Sequence, residues 1–175
     1  VNEEEQSLKG TFRLAVLPTI APYLLPRFFQ QLSEKHTDLD IRMLEMKTAP
    51  TMAALQNGEI DAAIIANQPT ESYLQGDILY YEQFFGYVAH NESIFKKDLI
   101  RTADINDERL WLLDEGHCFR DQLMRFCQME KVKVRQAAYR LGSLETFMRM
   151  VESGNGITFI PELATLQLSK EQKEL

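Results

Sequence analysis

The sequence predicts an α/β fold, and three observations carry that expectation. Short β-rich runs alternate with helical stripes along the whole chain. Turn and cap residues (Pro, Thr, Ser, Asn, Gly) fall between the runs rather than inside them. Hydrophobic residues make up 45 % of the 175 positions, enough to build a core without disulfide staples.

The elements follow in order. "TFRLAVL" (11–17) is the first predicted strand. A helix follows within 18–36, with Pro22 in its first turn and an apolar stripe at Leu24, Leu25, Phe28, Phe29 and Leu32. "LDIRMLEM" (39–46) alternates and predicts a second strand. Thr48 or Thr51 is expected to cap the next helix, which Gly58 would end. "IDAAIIA" (60–66) has the continuous apolar character of a buried strand. "ILYYEQFFGYVAH" (78–90) predicts a long aromatic strand with Gly86 as a bulge.

The second half repeats the pattern. "LWLLDE" (110–115) predicts a strand and "FRDQLMRFCQME" (119–130) a helix with Leu123, Phe126 and Cys127 on one side. "VRQAAYRL" (134–141) predicts another strand. Ser143 and Thr146 mark a helix start before "FMRMVES", and Gly154 and Gly156 its stop. "ITFIP" (157–161) predicts a short buried strand, with helical residues after it. Two α/β halves joined near 67–90 are therefore expected, with a cleft between them. Because open α/β sheets bind ligands beyond the carboxyl ends of their strands, the loops at Thr19, Thr48 and 116–118 are expected to face one site.

Charge and length narrow the function. Nineteen basic residues against 26 acidic leave −7, which argues against this piece gripping nucleic acid by itself. No apolar run approaches the roughly 20 residues of a membrane helix, so no membrane partner is expected. The start "VNEEEQSLKG" is acidic and lacks an initiator Met, which predicts a piece of a longer cytoplasmic chain.

The only two cysteines lie in one stretch, "DEGHCFRDQLMRFCQ" (114–128). Nine positions separate Cys118 from Cys127. An unbroken helix would hold them roughly 13.5 Å apart along its axis. A disulfide needs Cα atoms within about 7 Å, so bond formation would have to unwind that helix. Cys118 stands at a predicted helix start, beside His117 and Arg120, where free N–H groups and positive charge favour a reactive thiolate. Cys127, flanked by Phe126, reads as a quieter partner. The residues alone leave other readings open: Cys127 as a small core hydrophobe, or Cys118 as the nucleophile of a hydrolase. A metal site is disfavoured, because the spacing is not that of zinc ligands and His36 and His90 stand alone. No cofactor is implied.

The stretch "LLDEGHCFRDQLMRFC" resembles the redox motif of the OxyR family, the peroxide-sensing branch of the LysR-type transcriptional regulators. "LPTIAPYLLP" (17–26), "LQNGEIDAAIIA" (55–66) and "SLETFMRMVESGNGITFIP" (143–161) are similar to regulatory-domain segments of the same family, so the resemblance spans residues 8 to 165. It implies two Rossmann-like subdomains akin to periplasmic binding proteins, the first over about 8–80 and the second over about 85–165, joined by two crossover strands. The domain would run 8–175 with its C-terminal return to the first subdomain missing and the DNA-binding domain outside this chain. Cys118 would be oxidised by hydrogen peroxide to sulfenic acid, and Cys127 would resolve it as a disulfide. Thr19, Thr48, His117, Arg120, Asp121 and Gln122 match the positions around the peroxide. The whole regulator would be a homodimer that pairs into a tetramer and binds promoter DNA through an N-terminal helix-turn-helix. It would activate antioxidant genes with RNA polymerase and be reset by thioredoxin- or glutaredoxin-type reductants. It would be a switch, not an enzyme. One departure stands out: Ala138 occupies a position where some relatives carry a histidine.

Each residue also has a plainer reading. Thr19 suits a turn, and Thr51 competes with Thr48. Asp121 is an ordinary helix-start acid, whereas Arg120 opposes the helix dipole unless an anion or carboxylate uses it. Met124, Met129, Met148, Met150, Phe126 and Phe147 are expected in the core. The competing functions are a metabolite-binding effector domain of the same fold and a thiol peroxidase.

Overall fold

A computed structural model describes residues 9–67, 69, 71–105, 107–113, 118–126 and 142–175. The chain is mixed α/β, as expected, and divides into two units, Val1–Ala66 and Asn67–Leu175.

The first unit is a three-stranded parallel sheet of order β2-β1-β3. β1 (Gly10–Val16) is central because "LAVL" is apolar on both faces, and Leu14, Ala15, Val16 and Leu17 are all buried. β2 (Leu39–Glu45) is an edge strand and shows it: Leu39, Ile41 and Met43 are half-buried, alternating with exposed Asp40, Arg42 and Leu44. Its register on β1 runs from Gly10↔Leu39 to Val16↔Glu45. β3 is shorter than the predicted 60–66, covering only Ala62–Ile64. Asp61, which accepts the Arg13 N–H at 2.7 Å, turns the chain into it.

α1 (Ala21–Lys35) has Pro22 in its first turn, where a missing N–H costs nothing. α2 (Thr48–Gln56) corrects the expected cap. Lys47 is the N-cap and no side chain caps it; Thr51 is buried instead and its hydroxyl donates to the Lys47 carbonyl at 2.9 Å. The other end is as expected. Gly58 takes φ +68°, its N–H donates to the Leu55 carbonyl, and the Glu59 N–H donates to that of Ala54. This paired closure needs a left-handed residue, which glycine adopts without steric cost.

The second unit pairs β4 (Phe84–Val88) with β5 (Ile157–Pro161), antiparallel. All five β5 residues are buried, because Leu110 bridges Ile157 on the other side. Of the predicted 110–115 strand, this bridge is what the described residues 110–113 contribute. The long aromatic strand expected over 78–90 reduces to β4, and residues 75–83 carry no strand. Nor is Gly86 a bulge: the ladder runs without insertion from Phe84↔Pro161 to Val88↔Ile157. A Cβ there would meet the tip of the Ile100 side chain, which would have to move aside.

α3 spans Cys118–Phe126 and α4 Leu144–Glu152. Ser143 caps α4, its hydroxyl accepting the Thr146 N–H at 3.2 Å, and Leu144, Phe147, Met148 and Val151 form the buried stripe. The chain closes with the short α5 (Glu162–Thr165) and a final turn, where the Val88 N–H donates to the Leu175 carbonyl at 3.0 Å. The predicted strand 134–141, with Ala138, lies outside the described residues.

Candidate functional site

Cys118 is the first described residue of α3 and is 5 % exposed. One face of this helix is held by packing. Phe119 and Leu123, four residues apart, are both buried, and the Phe119 ring meets Phe84 edge-on at 4.9 Å. Two further ties run from the flanks of that face. Arg120 Nη1 donates to the Leu113 carbonyl at 3.2 Å, and Gln122 Nε2 donates to Asn67 Oδ1 at 2.7 Å.

This geometry answers several expectations. Arg120 was predicted to serve an anion, because a first-turn cation opposes the dipole. The structure gives its guanidinium a carbonyl partner at Leu113, so Arg120 ties the helix start to the end of the 110–113 segment, while Asp114, Glu115 and Cys127 lie outside the described residues. Asp121 is exposed, as an ordinary helix-start acid would be. Met148 and Phe147 are core, as expected, while Met124 and Met150 are half-buried. His117 and Cys127 lie outside the described residues, as do Met129 and the side chain of Phe126.

Thr19 and Thr48 belong to the first unit. Thr19 is buried at 5 % exposure and Thr48 is half-buried. Val16 pairs with Glu45 at the carboxyl end of the parallel β1–β2 ladder, and each threonine follows its strand by three residues. The structure thus brings these two hydroxyl residues to the same end of the sheet, where such folds place ligands.

Some of the surroundings escaped the sequence reading. Asn67, Phe84 and the Leu113 carbonyl carried no signal, because each acts through a partner 7 to 55 positions away. So did a polar knot on α4. Glu152 accepts from the Tyr87 hydroxyl at 3.1 Å, from Gln172 at 2.8 Å and from Arg149 at 2.7 Å. Burial pushes the Glu152 carboxyl up, but those three donors outweigh it and leave it below the usual carboxylate value. Burial, and then the hydrogen bond to Glu152, push the Tyr87 phenol far up. Among the described residues no group of three His, Cys, Asp or Glu side chains is placed to hold a metal. Nor is any described helix long and apolar enough to cross a membrane.

Comparison with known proteins places this arrangement in context. Residues 5–173 match the family described as the LysR substrate binding domain. The crystal structure of OxyR from Porphyromonas gingivalis is 57 % identical, with a TM-score of 0.86 over 95 % of this chain and 76 % of that one. The reduced OxyR regulatory domain from Pseudomonas aeruginosa is 31 % identical, with a TM-score of 0.80 over 93 % of this chain and 78 % of that one. A probable hydrogen peroxide-inducible genes activator of Mycobacterium leprae is 35 % identical over 162 residues, 92 % of this chain and 52 % of that protein. The DNA-binding transcriptional dual regulator OxyR of Escherichia coli K12 is 30 % identical over 164 residues, 93 % of this chain and 53 % of that protein. The chain spans about half the length of the curated relatives it matches. With nearly every residue covered by one family and the same α/β architecture throughout, the chain belongs to the LysR substrate-binding domain family.

Proposed function

We propose that this chain is the hydrogen-peroxide-sensing regulatory domain of a LysR-type transcriptional activator of the OxyR kind. The observation that carries the reading is the unbroken helix α3 between the two cysteines. Cys118 is its first described residue and Cys127 follows its last described one, Phe126. Eight helical steps separate the Cα atoms of residues 118 and 126 by about 12 Å. One further residue recovers at most about 3.8 Å. A disulfide, which needs about 7 Å or less, therefore requires α3 to come apart. Oxidation becomes a change of shape.

The chemistry balances with peroxide as the sole oxidant. The Cys118 thiolate attacks one peroxide oxygen, the O–O bond breaks, and hydroxide leaves to become water. The sulfenic acid formed is then attacked by the Cys127 thiolate, which forms the S–S bond and expels the second oxygen as water. Two thiols lose two electrons and one peroxide gains them. The domain acts as a switch and not as an enzyme, because nothing restores the thiols until a thioredoxin- or glutaredoxin-type reductant does. In this reading Thr19, Thr48, His117, Arg120, Asp121 and Gln122 are the residues that serve the peroxide. The strand-end position of the two threonines supports their role, and the hydrogen bonds of Arg120 and Gln122 support their holding α3 in shape. The whole regulator is a cytoplasmic homodimer that pairs into a tetramer, binds promoters through a helix-turn-helix outside this chain, and engages RNA polymerase.

Stoichiometric peroxide followed by thiol alkylation and mass spectrometry tests the reading. Wild type should lose two thiols together with a measurable fraction of its helix signal. Cys118→Ser should slow oxidation by more than about 100-fold, because the attacking sulfur is gone. Cys127→Ser should accumulate a trappable sulfenic acid. Unchanged peroxide reactivity in Cys118→Ser refutes the assignment. Thermal stabilisation by a small metabolite, with slow and unselective thiol loss, would mark an effector domain instead.

A further inference from the structure

We propose that α3 also acts as a clasp on the segment that leads from the first unit into β4, and that closing the cysteine pair opens the clasp. This inference rests on the redox reading above. The first unit ends at Ala66 and β4 begins at Phe84, so the segment between has Asn67 and Phe84 at its two ends. Two neighbouring turns of α3 hold both. Gln122 donates to Asn67 Oδ1 at 2.7 Å, and Phe119 packs edge-on against Phe84 at 4.9 Å. The two contacts are chemically independent, one polar and exposed, the other aromatic and buried on the Phe119 side.

Glu82 and Gln83 are tied to Leu163 and Glu162, which leaves the described residues before them, 71–81, as the part of the segment that α3 steadies. They carry no strand, and Tyr73, Ile78, Leu79 and Tyr81 are 53 to 85 % exposed. Phe119 and Gln122 are one and four positions past Cys118. Both lie inside the stretch that must unwind for the sulfurs to meet, so neither can keep its direction when the helix is lost. Asn67 and Phe84 are thus positioning residues: they touch no oxidant and convert the state of α3 into the freedom of the chain beside it.

Chymotrypsin reads that freedom, because cleavage after Tyr73, Tyr80 or Tyr81 needs several residues to bend into the protease. The full-length protein is digested in reduced form, after stoichiometric peroxide, and as the reduced variants Gln122→Ala and Gln122→Ala with Phe84→Leu. Disulfide content is measured in every sample by alkylation. The disulfide form should be cut in this segment about 5- to 10-fold faster than the reduced form. Reduced Gln122→Ala, a change at a half-buried polar side chain, should be cut about 2- to 5-fold faster, as expected for one lost hydrogen bond. The double variant should approach the oxidised rate. Cleavage after buried Tyr87 stays slow throughout and reports any global unfolding. If the disulfide forms and cleavage is unchanged, or if the reduced variants are cut at the wild-type rate, the clasp is wrong and the sensor stands. If peroxide forms no disulfide at all, the sensor reading fails and takes the redox coupling with it.

Discussion

α3 and α4 are nine-residue helices of the same unit, and they are anchored in opposite ways. α4 is riveted. A serine hydroxyl caps its start, four apolar residues at helical spacing enter the core, and Glu152 gathers three donors near its end. Its Phe147 also stacks on Trp111, the rings 6.1 Å apart. Among the described residues, α3 buries Cys118, Phe119 and Leu123, and Arg120 and Gln122 send side-chain hydrogen bonds to distant points of the chain. A helix built into a core reports nothing when it is perturbed, because the whole unit goes with it. A helix held by a few long-range ties can come apart locally and pull on what it held. That difference is what a switch needs.

The largest expected effect tests the rivet. Phe147→Ala should cost about 3 to 5 kcal/mol of unfolding free energy, the range for emptying a buried aromatic site. Below its melting temperature the variant should still form the disulfide at the wild-type rate, measured by alkylation. Slower oxidation would mean that the two helices are not separable. A matched pair comes next. Met124→Gly in α3 and Met150→Gly in α4 each place glycine in a helix at a half-buried position, for roughly 1 kcal/mol in helix propensity. Only the α3 variant should speed disulfide closure after sulfenic acid forms, by about fivefold in stopped-flow thiol assays. Equal rates in both variants would break the contrast.

The smallest effect concerns pH. Glu152 titrates below its usual value in the folded unit, so its donors stabilise the fold fully above the ordinary carboxylate range. That contribution is lost as pH falls through the lowered value. Glu152→Gln should therefore flatten part of the acid limb of the melting curve, by less than about 1 kcal/mol, and leave the peroxide response alone.

Much of this contrast is legible in the residues. The αβ alternation, the Ser143 cap and the Gly58 stop rest on local chemistry, and the structure repeats them within a residue or two. The cysteine helix was also readable: of the side expected to carry Leu123, Phe126 and Cys127, Leu123 is buried, Cys127 and the side chain of Phe126 lie outside the described residues, and Phe119 joins the buried face. What misled was β propensity without a partner. "ILYYEQFFGYV" reads as one strand, yet a strand exists only where another lies beside it, and β5 is long enough to pair with Phe84–Val88 alone. Thr51 misled in another way: its hydroxyl bonds backward to Lys47 instead of capping forward, a choice made by burial. The ties of α3 were invisible because Leu113, Asn67 and Phe84 become its neighbours only through the fold.

Trp111 is the chain's single tryptophan, and its indole N–H donates to the Asn155 carbonyl at 2.7 Å while its ring lies on Phe147. The built-in fluorophore is therefore bolted to the rigid side of the unit. Its emission should track melting faithfully and stay nearly dark to the redox event. A spectroscopist following tryptophan alone would conclude that peroxide does nothing, while circular dichroism on the same sample records the loss of a helix.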